Sequence, residues 1–296
     1  MKSTIMLMAD STCDITQELA EEIGILVMPV AVNIGGETYR DSIDFIPDEF
    51  YDMLEKETEI PVTAAVNTAT FRENYEKAFL EGYADVICVT INSGGASTFQ
   101  SANLARDLFF EERPDAVGKI EIHTVDSRSY SMGFGLPLIQ AAQMRNDGAS
   151  VETLLKHLED WYQCLKIYMG IYDLRFAKKS GRISAAAAFI GELMGFKPIM
   201  RMVYGVTENI EKVRGERTLI PRMVEHVQRE VRDVEKKEFC LIAGSVVKEA
   251  KELEKELEAA LGVKSQGIFR LGSAVAINSG PRTVGIILRG PQPVEE

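Results

Sequence analysis

Through the first half of the chain, short apolar segments rich in β-branched residues alternate with amphipathic helical patterns, and this alternation constrains the fold more than any other feature. "TIMLMAD" reads as a strand, "TQELAEEIG" as a helix ended by Gly24, and "ILVMPVAVNIGGETYRD" as a strand followed by a hairpin through Gly35 and Gly36. Helices over "PDEFYDMLEKE" and "TATFRENYEKAFLEG" precede the strand "DVICVTI", which is followed by the helix "STFQSANLARDLFFEE" and the strand "KIEIHTVDS". Strands separated by helices predict a mostly parallel sheet covered by helices on both faces. A longer helix near "QMRNDGASVETLLKHLEDWYQCLKIYMGIYD" leads into an apolar strand, and a second unit begins there. It reads as the helical "SAAAAFIGELMG", a turn-rich "VYGVTENIEKVRGE", the long helix "RTLIPRMVEHVQREVRDVEKK", the strand "FCLIAGSV", the helix "EAKELEKELEAALG", then the strands "SQGIFRLGS" and "VGIILRG". The expected fold is α/β, with two α/β domains of mostly parallel sheets flanked by helices, at 1–160 and 161–296.

Composition narrows the partners. With 45 acidic against 33 basic residues the formal charge is −12, so there is no surplus to neutralise phosphates, and "AKKSGR" at 177–182 is the densest basic run. Nucleic acid is not an expected partner. The opening "MKSTIMLMADS" is too short and insufficiently apolar for a signal-peptide core or a membrane span, which predicts a cytoplasmic protein with no stable membrane insertion. Cys13, Cys88, Cys164 and Cys240 are scattered without paired spacing and read as buried free thiols. His157 and His226 fall in charged helical stretches and read as solvated, while His123 sits on a strand. Neither a metal centre nor a histidine-dependent triad is expected.

In open α/β sheets ligands bind where strand ends enter helices, and three loops have that placement. The first is "DSTCD": Asp10, Ser11, Thr12 and Asp14 leave the first strand, and their oxygens suit helix capping, nucleophilic chemistry or a phosphate loop. The second is "TINSGGASTFQSA", where adjacent glycines admit a ligand and Asn92, Ser93, Ser97 and Thr98 offer neutral donors beside a helix N-terminus. It lacks the lysine of a Walker loop and the spacing of a nucleophile elbow. The third, "AINSGPRTVGI", sets Asn278, Ser279 and Arg282 around a Gly-Pro turn. Between these lies "ISAAAAFIGELMGF", apolar nearly all round, which suits either core or a slot for an aliphatic chain.

Together these motifs resemble the DegV family of bacterial fatty-acid-binding proteins. The resemblance rests on "DSTCD", "SGGASTFQSA", "TVDS" at 124–127, "KKSGRIS" at 178–184, "GFKPIM" at 195–200, "EKVRGERTL" at 211–219 and "NSGPRTVGI" at 278–286, in family order over essentially the whole chain. It implies a two-domain α/β protein that holds one long-chain fatty acid between its domains. Such a protein is not itself an enzyme and has no cofactor; it presents the carboxylate to a separate ATP-dependent fatty acid kinase that forms an acyl phosphate for lipid metabolism.

Carried over by position, Thr63, Ser93, Ser97 and Asn278, with Arg282, are expected around the carboxylate. Phe189, Ile190, Leu193, Met194 and Phe196 are expected along the acyl tunnel, and Arg182 on the face turned to the kinase. The chain departs from the family pattern at Ala64, Ala65, Val66, Ala96, Asn278 and Arg282, all at the headgroup end. Roughly 14 buried methylenes at about 0.8 kcal/mol each supply on the order of 11 kcal/mol before entropic costs, so the tail dominates affinity and neutral donors suffice for the head. Within this resemblance "DSTCD" becomes a brace beside the headgroup pocket. The alternatives are a small phosphotransferase or hydrolase using Ser11 or Ser97, and a carrier or sensor of another amphiphile.

Overall fold

A computed structural model describes residues 4–56, 59–181, 195–232 and 237–291. Strands β1 (Ile5–Asp10) and β2 (Ile25–Met28) flank helix α1 (Gln17–Ile23). Thr16 caps α1 through its hydroxyl, which accepts from the Leu19 amide at 3.2 Å, and Gly24 closes it at φ 70°. A hairpin of β3 (Ala31–Ile34) and β4 (Glu37–Arg40) leads to α2 (Pro47–Lys56) and to β5 (Val62–Ala64), which pairs antiparallel with β3. Helix α3 (Thr68–Leu80), β6 (Asp85–Thr90), α4 (Thr98–Glu112) and β7 (Glu121–Asp126) follow. The first large sheet runs β2-β1-β6-β7 and is parallel throughout, as the alternation predicts.

Helices α5 (Met132–Asn146) and α6 (Val151–Cys164) then carry the chain into β8 (Leu165–Ile171). Helix α7 (Arg175–Ser180), β9 (Phe196–Val203), β10 (Val206–Arg214), α8 (Leu219–Glu230), β11 (Glu238–Ala243), α9 (Val247–Leu261), β12 (Ile268–Arg270), α10 (Ser273–Ser279) and β13 (Thr283–Arg289) complete the second unit. Its sheet, β10-β9-β8-β13-β11-β12, is parallel only between β11 and β12. One of its antiparallel pairs comes from the segment read as turn-rich: it is a hairpin, because Tyr204 and Gly205, both at positive φ, reverse the chain between β9 and β10. The long helix expected from Arg217 onward starts at Leu219 and ends by Glu230, and "SAVAINS", read as the approach to a turn, is helix α10. The helical "SAAAAFIGELMG" lies outside the described residues.

Strand alternation sorts the core into layers. In β1, Leu7 and Ala9 face inward and Met8 faces α3 and α4; in β8, Ile167 faces inward and Tyr168 faces α8. The inner faces of both sheets meet one shared cluster, filled by α5, by the buried side of α6 and by Phe50, Tyr51 and Leu54 of α2. Helix α5 is apolar on every side because it runs through this middle layer. His157 is half-buried on α6 rather than solvated, since α6 turns it toward the Pro137 carbonyl of α5, and burial lowers its pKa. His226 is likewise half-buried, with Nε2 2.7 Å from Glu211. All four cysteines are buried and free. Among the described residues no helix is long and apolar enough to cross a membrane.

Gly135 sets how closely α5 approaches the end of β1: a Cβ there would stand 2.3 Å from the Cys13 carbonyl oxygen. Backbone cannot yield as a side-chain tip does, so Gly135→Ala is expected to lower unfolding free energy by about 1–3 kcal/mol. Urea denaturation checks this; an unchanged midpoint would contradict the packing described.

Candidate functional site

A cavity of about 290 Å³ opens at the C-terminal ends of β1 and β6, against the inner face of the second sheet. Its apolar wall includes Ile91, Ile167, Met169, Met202, Ile242 and Leu271. Hydroxyl and amide groups supply the rest: Thr12, Thr63, Ser97, Thr98, Tyr130, Ser131, Thr207, Asn278, Ser279 and Thr283. Among the described residues no charged side chain lines it. Such a space suits a long apolar ligand with one small polar end.

Three buried carboxylates fix the polar wall from behind. Asp10 accepts from the Thr12 amide at 3.1 Å and the Ile91 amide at 2.8 Å, and from the Thr12 hydroxyl, which ties the ends of β1 and β6 together. Asp14, at φ 57°, accepts from the Ser131 hydroxyl, and Ser131 in turn donates its amide to the Thr12 carbonyl. A Cβ at position 272 would lie 2.3 Å from Asp14, so Gly272 is what lets the second unit come this near. Asp41 accepts from Ser11 Oγ at 2.6 Å, from the Ala274 amide at 3.1 Å and from the Ser273 hydroxyl. The Ser11 hydroxyl also accepts from the Val30 amide at 3.0 Å, so "DSTCD" acts as a brace. Ser11 itself is buried behind the cavity and does not line it.

The residues expected at the headgroup divide. Thr63, Ser97 and Asn278 come together on the cavity wall. Ser93 does not join them: its hydroxyl donates to Asp126 at 2.5 Å and its amide to the same carboxylate at 3.1 Å. Arg282 is turned away, lying over the Tyr172 ring and 3.3 Å from Glu216, although its neighbour Thr283 lines the cavity. Phe196, at the start of β9, is 38% exposed and does not line the cavity. Phe189, Ile190, Leu193, Met194 and Arg182 lie outside the described residues.

Thr98 and Asn92, both expected from the sequence as neutral donors, are used in different ways. Thr98 has a fully buried hydroxyl with no partner among the described residues, and it lines the cavity. It begins the 15-residue helix α4, whose preceding residue Ser97 makes no side-chain cap, so the first-turn amides point their positive end at the same space. Asn92, a suggested donor, instead clamps the hairpin tip: its amide donates to Gly205 O and Tyr130 Oη, each at 3.0 Å. Arg128 lies over the ring of Tyr204, 4.0 Å from its centroid, beside that clamp.

Burial pushes the Asp10 carboxyl up to about 6, against hydrogen bonds from the Thr12 side chain and the Ile91 and Thr12 amides. Asp14 and Asp41 are raised as well, by burial first. A carboxyl raised in the fold binds its proton more tightly folded than unfolded, so Asp10's contribution is full below about pH 4 and is lost as pH rises through about 6. Wild type should therefore lose about 3 kcal/mol relative to Asp10→Asn between those limits. Urea unfolding of both proteins across that range measures it, and parallel profiles would refute the assignment.

Comparison with known proteins gives this arrangement its place. A family model described as "uncharacterised protein, DegV family" matches residues 4–290. A DegV domain-containing protein of Caldanaerobacter subterraneus is 29% identical over 282 residues, 95% of this chain and 97% of that protein. A fatty-acid-binding DegV family protein from Thermus thermophilus superposes with a TM-score of 0.86 at 27% identity, covering 97% of this chain and 99% of that one. DegV of Bacillus subtilis, a fatty acid binding protein, does so at 0.82 and 27%, covering 98% and 100%. With the match running through both sheets and every loop that lines the cavity, the chain belongs to the DegV family.

Proposed function

We propose that this protein binds one long-chain fatty acid in the cavity between its two sheets. It would hold the acid in the cytoplasm and present the carboxylate to a separate ATP-dependent fatty acid kinase, without catalysing a reaction itself. The observation that carries the reading is the pairing of a largely apolar cavity, uncharged among the described residues, with a buried hydroxyl on its wall, Thr98, that has no partner among those residues and stands at a helix N-terminus. Similar solved proteins from Thermus thermophilus and Bacillus subtilis are fatty-acid-binding, which supports the same ligand here.

In this reading Thr98, Ser97 and Thr63 face the carboxylate together with the first-turn amides of α4. Asn278 spends one amide hydrogen on the Ala274 carbonyl at 2.8 Å and keeps the other for the ligand. Met169 and Met202 give the wall adaptable side chains that accommodate a bent or straight tail. A hydrolase or phosphotransferase would need a base beside a loop serine. Ser97 has no charged group or histidine among its neighbours on the wall, and the Ser11 hydroxyl is held by Asp41 away from it. In this reading Arg182, outside the described residues, would face the kinase.

Mass spectrometry of lipid extracted from the purified protein should find one long-chain fatty acid per chain. Absence of lipid together with ester or ATP turnover would overturn the reading. Thr98→Val is nearly isosteric and removes a hydroxyl that bonds nothing among the described residues, so it should leave the ligand-free protein at least as stable while weakening fatty-acid binding by about tenfold. Mixing loaded protein with the kinase and ATP should yield an acyl phosphate trapped by hydroxylamine as the hydroxamate.

A further inference from the structure

At the end of the first sheet remote from the cavity, Asp85, Glu121 and His123 converge. In the parallel pairing of β6 with β7, Asp85 stands opposite Glu121 and Ile87 opposite His123. Paired residues share a face of the sheet, as do residues two apart on one strand, so all three side chains project to the same side. That side is the inner face, because Val86, Cys88 and Ile122 pack on the other.

His123 Nε2 is 3.1 Å from Asp85 Oδ1 and 3.8 Å from Glu121 Oε2, and the three donor atoms all lie within 4.8 Å of one another. Four ligands around zinc at roughly 2.1 Å stand about 3.4 Å apart, so the two shorter separations bracket the tetrahedral spacing. One neutral imidazole and two carboxylates bring a charge that balances a divalent ion. Asp85 and His123 are mostly covered, with side chains 19% and 23% exposed, while Glu121 is 75% exposed and leaves an entry path.

We propose that Asp85, Glu121 and His123 bind a divalent transition-metal ion of the zinc type. The imidazole favours zinc or cobalt over magnesium or calcium. The ion would fasten β7, the outer strand of its sheet, to β6. Nothing in this site touches the cavity, so its occupancy is independent of the fatty acid.

The test is isothermal titration of ZnCl2 into untagged, EDTA-treated protein, with the melting temperature measured in parallel. One equivalent should bind and raise the melting temperature. His123→Ala and Asp85→Asn should each weaken binding by at least about tenfold and abolish the thermal shift, with bound fatty acid unchanged. Should His123→Ala fold poorly, Asp85→Asn and His123→Gln carry the same comparison. Failure of the wild type to bind stoichiometrically, as for a protonated imidazole merely paired with two carboxylates, would overturn the proposal. So would equal binding by wild type and variants.

Discussion

The Asp41 carboxylate is the constraint on which the two halves of the molecule depend. It is buried, has no basic partner among the described residues, and is held by Ser11 at the end of β1 and by Ser273 and the Ala274 amide at the start of α10. Helix α10 follows Gly272, which has no side chain to cap it, so Asp41 supplies the cap from the far end of the sequence. The position of α10, and with it Ala274, Val275, Asn278 and Ser279 on the cavity wall, follows from that one contact. A carboxylate without a counter-ion is costly to bury, and hydroxyl and amide donors aimed at it offset the cost. Asp10 and Asp14 repeat the device, each tying a different wall residue. Around them, the Tyr51 hydroxyl donates to the Leu271 carbonyl and Arg270 pairs with Asp48, so α2 is fastened to the same segment.

Placing the charges behind the wall leaves the wall itself neutral. A carboxylate ligand meeting an arginine inside the cavity would form a bidentate pair in low dielectric, strong and slow to release. Here Arg282, adjacent to the wall residue Thr283, is spent on Glu216 outside. Under the proposed function the ligand would be left to helix amides and hydroxyls that orient its head while the apolar wall supplies affinity, a division that would suit release to a partner.

What the sequence made legible follows from range. Caps and stops are local, so α1 with Thr16 and Gly24, the hairpin through Gly35 and Gly36, and the β1, β6 and β7 strands could all be read from neighbouring residues. The β9–β10 hairpin was missed because Tyr204 takes a left-handed backbone without a glycine's signal and Gly205 alone looked like a turn. Helix α10 was missed because its cap is Asp41, more than two hundred residues earlier. Thr63, Ser97 and Asn278 line the cavity, whereas Ser93 and Arg282, equally polar, are diverted by Asp126 and Glu216, partners that only the tertiary fold brings near.

The same limit of range explains the Asp85, Glu121 and His123 cluster. In a parallel sheet covered on both faces, side chains along the strands are committed to packing, and polar chemistry is confined to the strand ends. At the C-terminal ends, loops rich in small residues announce themselves in sequence, because they must turn into helices and need caps. At the N-terminal ends no such loop is required, so the donors sit as ordinary strand residues, and only the β6–β7 register makes neighbours of Asp85 and Glu121. Scattered histidines argue against a metal centre only where ligands come from one loop. In a sheet, the pairing register does the collecting, and spacing along the chain carries no information about it.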